Sequence, residues 1–124
     1  MSCIGLGTYH MNHKQTVKTA IIDLNYRLLD CASMYKNEEM IGEALSEIFI
    51  ETEIERKDMF IISKIWPDEV EDVESALRRS LNKLKVDQLD LYLVHWPIAT
   101  RTIRNDDDTL KYERINIPMY KVWE

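Results

Sequence analysis

The stretch "MFIISKIWPDEVEDVESALRRSLNKLKVDQLDLYLVHWP", residues 59–97, decides the fold. It opens on an apolar run, "MFIISKIW" (59–66), and closes on another, "LDLYLVHW" (89–96). Between them Val70, Val73, Ala76, Leu77, Leu81 and Leu84 recur at helical spacing. Pro67, Asp68 and Glu69 are expected to open that helix. Its acids come early and its bases, Lys83 and Lys85, come late, as the helix dipole favours. Strands this continuously apolar belong to parallel sheets covered by amphipathic helices.

Upstream the pattern repeats. "IGLGTY" (4–9) reads as a short strand, and "KQTVKTAIIDL" (14–24) carries Val17, Ala20, Ile21 and Leu24 at helical spacing. Asn25 follows, a residue suited to a left-handed position after a helix. "YRLLDCA" (26–32) is a strand. Asn37 is placed to cap a helix with Met40, Ile41, Ala44, Leu45, Ile48 and Phe49 on one face. "ETEIERKD" (51–58) is a charged connection.

Strands therefore alternate with helices, and from the second strand onward the repeat is about 30 residues, one unit of a ~250-residue (β/α)₈ barrel. A doubly wound sheet would place G-x-G-x-x-G after its first strand. Gly5-Leu6-Gly7-Thr8-Tyr9-His10 lacks the third glycine. The expected fold is α/β: the first four βα units of a (β/α)₈ TIM barrel, incomplete, in one domain over residues 1–124. Residues 98–115 lack periodicity and read as a long polar loop. "NIPMYKVWE" (116–124) reads as the start of a helix, with Asn116 as cap and Pro118 in its first turn.

Net charge is −6 over 124 residues, which argues against nucleic acid and anionic membrane as partners. The cysteines, Cys3 and Cys31, suit a reduced, cytoplasmic chain. "MSCIGLGTYH" has no charged leader, and no run approaches the ~18 apolar residues of a membrane helix. His10 and His13 lack companions for a metal site.

Polar residues collect at the strand ends. Asp30 and Lys64 end the second and third strands, His95 ends the fourth, and Tyr35 follows the second. Each alone could be a solvated side chain. In a parallel barrel all these ends open onto one face, where barrel active sites are built. A tyrosine normally titrates near ~10 and becomes a better acid beside a cation. At ~4 Å and an effective dielectric near 20, such a pair interacts by about 4 kcal/mol. Lys64 can supply the cation, Asp30 can fix it, and His95 can donate to a substrate oxygen. Such a set would protonate a carbonyl while a nicotinamide cofactor delivers hydride.

Four runs, "GLGTY" (5–9), "YRLLDCASMYKNEEMIG" (26–42), "ISKIWP" (62–67) and "LDLYLVHWP" (89–97), resemble the aldo-keto reductases. The resemblance implies a (β/α)₈ barrel that reduces aldehydes and ketones with NADPH, and it does not separate NADPH from NADH. It implies Tyr35 as general acid, Asp30 and Lys64 as its tuning pair, and His95 as the substrate-orienting residue. Gly7, Thr8, Tyr9 and Asp30 would approach the cofactor, and Tyr9, Trp66, Trp96 and His95 would wall the substrate pocket. It covers about the first four units, so most of the cofactor cradle would lie beyond Glu124 and the 124 residues alone are expected to be inactive. Two other readings stand beside the enzyme: a non-catalytic binding or regulatory subunit, and a half-barrel that self-associates through open sheet edges.

Overall fold

The computed structural model describes residues 3–123. Leu6–Gly7 (β1), Leu28–Asp30 (β2), Phe60–Ile65 (β3) and Leu91–Val94 (β4) form a parallel sheet in the order β1-β2-β3-β4. Lys14–Ile22 (α1), Glu38–Glu51 (α2) and Val73–Leu84 (α3) connect them. Neighbouring strands are consecutive in the chain, and α1 packs on α2 and α2 on α3. This is the succession of a barrel wall. A doubly wound sheet would carry helices on both faces.

The helix ends follow local rules. Asn25 adopts φ 58°, as its position after α1 suggests. Asp72 caps α3 by accepting from the Ser75 amide at 3.0 Å, so the helix opens at Val73 rather than at Pro67. Lys85 ends it in the left-handed region. Gly42 lets α2 and α3 approach, because a Cβ there would collide with the Lys83 carbonyl and the Leu84 backbone. Asn37 stands at the N-cap of α2 without capping through its side chain.

Burial alternates along β3. Ile61, Ser63 and Ile65 are at most 1% exposed and face the helices. Ile61 joins Ile21, Leu29, Ile41, Leu45, Ile48 and Leu84 in the main core. Phe60, Ile62 and Lys64 point the other way and stay partly exposed. The strand register groups them with Leu28, Asp30, Leu91 and Leu93 on one face. Leu28, Phe60, Ile62, Leu91 and Leu93 belong to neither core cluster.

Residues 98–115 differ from the loop expected. Ala99–Arg104 (β5) and Leu110–Ile115 (β6) form an antiparallel hairpin, Ala99 paired with Ile115 and Arg104 with Leu110. It is fastened to the segment after β3 by Thr100 N–H to the Pro67 carbonyl (2.9 Å), Thr102 to Asp68 (2.6 Å) and Arg101 to Glu71 (2.6 Å). A short helix, Tyr120–Trp123 (α4), follows, later than the cap at Asn116 would place it; Glu124 lies outside the described residues. Val122 and Ala99 pack with Ile65, Val70 and Ala76 in a second cluster.

Candidate active site

Parallel pairing puts the C-terminal ends of β1 to β4 on one side. Gly7 pairs with Asp30, Asp30 with Ile62, and Lys64 with Leu93. His95 follows two residues after Leu93, and its amide donates to the Ile65 carbonyl at 3.1 Å. Tyr35 stands at the end of a 3-10 turn, Ser33–Tyr35, which rises from the end of β2.

Lys64 is the hub. Its Nζ lies 2.6 Å from Asp30 Oδ1, donates to the Cys31 carbonyl at 2.9 Å and reaches Tyr35 Oη at 3.3 Å. The Lys64 side chain is 12% exposed and that of Asp30 39%, so the ammonium is held in a partly dry setting with its counter-ion on the solvent side. The aliphatic stem also brings Nζ within 5.0 Å of the Tyr35 ring centre.

Aromatic rings flank the Tyr35 ring. Tyr9 lies 5.0 Å from Tyr35 between ring centres, and His95 lies 5.7 Å away, edge-on. Trp66 meets His95 edge-on at 5.1 Å. Burial, aided by the charge on Lys64, holds the His95 imidazole below its usual pKa, so the ring favours the neutral form. A neutral imidazole keeps one N–H to donate. Its Nδ1 is buried without a protein partner.

The structure brings Asp30, Tyr35, Lys64 and His95 together, with Tyr9 and Trp66 around them. It does not do so for Thr8 and Trp96. Thr8 is fully buried, and its hydroxyl donates to the Asp30 carbonyl at 3.0 Å. Its side chain thus braces the Asp30 backbone from the buried side. Trp96 is 55% exposed and takes no part in the ring contacts that join Tyr9, Tyr35, His95 and Trp66.

Other contributors act over long sequence separations. Asn37 Nδ2 donates to the Thr8 and Met11 carbonyls at 2.7 and 2.8 Å. Glu38 is 2% exposed and accepts from Ser63 (2.6 Å) and Ser80 (3.2 Å), joining α2 to β3 and α3 directly behind Lys64. Glu69 gathers Ser33, the Trp66 amide and Arg79. Cys31 supplies a carbonyl while burial pushes its thiol up to about 12, which makes it unreactive.

Lys64 Nζ meets Asp30 at Oδ1 and the Asp30 side chain is 39% exposed, so part of its carboxylate faces solvent. A Cβ built on Gly7 would meet nothing within 4 Å, so the space beside Asp30 is open. A solvent-facing carboxylate beside open backbone suits a hydroxyl-bearing group such as a ribose. Among the described residues no group of His, Cys, Asp and Glu could hold a metal ion, and no helix is long and apolar enough to cross a membrane.

A model of the aldo/keto reductase family matches residues 4–115. The aldose reductase of Encephalitozoon cuniculi is 46% identical over 99 residues, covering 77% of this chain and 33% of that protein. The solved aldose reductase from Schistosoma japonicum superposes with a TM-score of 0.86 at 34% identity, over 99% of this chain and 43% of that one. An aldo-keto reductase from Bombyx mori, solved in complex with NADP, gives 0.83 at 32% identity over 99% and 41%. The chain thus spans a third to somewhat over two fifths of the length of the relatives it matches.

Proposed function

The chain belongs to the aldo/keto reductase family, and from that membership we propose that it carries the proton-delivery part of a site that reduces aldehydes and ketones to alcohols. The observation that carries this reading is the placement of Lys64 Nζ, 2.6 Å from Asp30 and 3.3 Å from the Tyr35 hydroxyl. NADPH, when bound, supplies the hydride that the carbonyl carbon accepts. Asp30 and the open backbone at Gly7 would hold its ribose and nicotinamide end.

The remaining chemistry belongs to the chain's own side chains. His95 donates a ring N–H to the substrate carbonyl oxygen and sets its direction. Tyr35 gives its proton to that oxygen as charge develops there. The tyrosinate left behind faces the Lys64 ammonium; at 3.3 Å and an effective dielectric near 20 their attraction is about 5 kcal/mol as a ceiling. Asp30 keeps that ammonium in place. Tyr9 and Trp66 give the pocket an apolar wall, which suits a carbonyl compound with an apolar substituent.

Two features support further expectations. β1 and β4 are edge strands among the described residues, and the inner apolar row is part-exposed, which supports self-association of the 124-residue chain. The unpaired thiols of Cys3 and Cys31 support a reducing, cytoplasmic setting.

The test is a hybrid in which residues 1–124 replace the matching segment of the Schistosoma aldose reductase. The hybrid is expected to oxidise NADPH when an aromatic aldehyde is added, and the 124 residues alone are expected to do neither this nor bind NADPH tightly. A folded hybrid that binds NADPH and leaves the aldehyde untouched would overturn the reading.

A further inference from the structure

We propose that Glu69 is a positioning residue: through Ser33 it holds the turn that carries Tyr35 against the end of β3. Tyr35 sits between two clips. Two residues after it, Asn37 donates to the Thr8 and Met11 carbonyls and ties the turn to the β1 side. Two residues before it, Ser33 Oγ lies 2.6 Å from Glu69 Oε2 and 3.2 Å from the Lys64 carbonyl, which ties the turn to the β3 side. A hydroxyl has one proton to donate, and the shorter distance to a carboxylate marks the stronger bond.

Glu69 is well placed to anchor that clip. The same Oε2 accepts from the Trp66 amide at 3.1 Å, just past the end of β3, and Oε1 accepts from Arg79 of α3 at 3.0 Å. One carboxylate therefore gathers the turn, the strand end and the helix behind them. Burial pushes its pKa up, but the bonds from Ser33 and Arg79 outweigh this and hold it below the usual carboxylate range, so it stays charged at neutral pH. The Tyr35–Lys64 contact, at 3.3 Å, is at the long end of hydrogen bonding, so a small outward shift of the turn would break it.

This inference rests on the pairing of Tyr35 with Lys64 in the proposed site, but its test requires no turnover. The hybrid is treated with 1,5-difluoro-2,4-dinitrobenzene, which bridges a neighbouring amine and phenol. The Lys64–Tyr35 bridge is quantified by mass spectrometry against a Lys14–Lys18 bridge, since both those amines pair with Glu47 on the far helical layer. Ser33→Ala and Glu69→Ala are each expected to lower the Lys64–Tyr35 bridge about tenfold relative to the reference, with the double variant no lower. Glu69→Gln, which keeps the volume and one acceptor oxygen, is expected to lower it about threefold, and it carries the comparison if the alanine variant does not fold. An unchanged ratio in the variants would overturn the proposal. So would a parallel fall of both bridges, because Glu69 would then be stabilising the whole fold without placing Tyr35. Loss of aldehyde reduction by the hybrid with the bridge pattern intact would instead count against the reductase reading alone.

Discussion

The two faces of β3 differ in burial from one residue to the next. On the helix side, Ile61, Ser63 and Ile65 are sealed to within 1%. On the mouth side, one residue away in each case, Phe60, Ile62 and Lys64 remain partly exposed. The first face is closed by α2 and α3 and by the buried Glu38, whose carboxylate holds Ser63 and Ser80. The second ends in the polar set around Lys64 and is otherwise an apolar row that is only partly covered among the described residues. Packing and the polar set are thus separated by the pleat of one strand, so neighbouring substitutions should have different consequences.

The largest expected effect follows from the uncovered row. Leaving about 400 Å² of apolar surface wet forgoes about 10 kcal/mol at 25 cal/mol per Å², comparable to the stability of a whole domain. The 124-residue chain is therefore expected to be self-associated or molten when studied by size exclusion with light scattering and a thermal melt. A monodisperse monomer with a sharp transition would show that the inner face is buried in some other way, and would remove the contrast between the two faces.

A smaller effect sharpens the contrast within one strand. Ile61→Ala should lower unfolding stability by about 2–5 kcal/mol, measured by urea denaturation of the hybrid, because Ile61 is fully buried in the helix-side core. Phe60→Ala in the 124-residue chain should leave the far-ultraviolet helical signal intact and reduce the scattering mass. If Phe60→Ala unfolds the chain while Ile61→Ala is tolerated, the faces have been assigned the wrong way round.

The smallest effect is a pH dependence. His95 titrates below its unfolded value because burial and Lys64 disfavour its charge. In the window between its folded pKa and the unfolded ~6.5, the unfolded state binds more protons, so stability falls as pH drops. Glu69, whose folded pKa is lowered, contributes stability above the unfolded carboxylate range that is lost on further acidification. Urea midpoints of the hybrid at a series of pH values should decline below ~6.5, and His95→Asn should flatten the upper part of that decline. An unchanged profile in the variant would mean that His95 is not the buried titrating group.

Much of the fold was legible in the sequence because its signals are local. Continuous apolar runs mark β2, β3 and β4, and the stripe through Val73, Ala76 and Leu84 marks α3. Asp30, Lys64 and His95 were visible as polar residues closing apolar runs. The hairpin was not legible because both its faces are largely solvated: no residue of β6 is buried, so there is no apolar alternation to read. Its signal was the turn-rich Asn105–Asp108, where Asp108 takes φ 64°. Asn37, Glu38 and Glu69 were misread or missed for a different reason. The bonds made by the Asn37 and Glu38 side chains, and the one from Ser33 to Glu69, span 25 to 42 residues, and no local period records them.

Ser63 and Lys64 put the whole account into adjacent positions, one behind the sheet and one in its mouth. The most direct test is to measure both urea midpoint and aldehyde turnover for Lys64→Met in the hybrid. The variant is expected to keep stability within about 1 kcal/mol of the parent, because Asp30 is left beside solvent, and to lose about 100-fold or more in kcat. A variant that loses several kcal/mol of stability while the folded fraction keeps its turnover would contradict this.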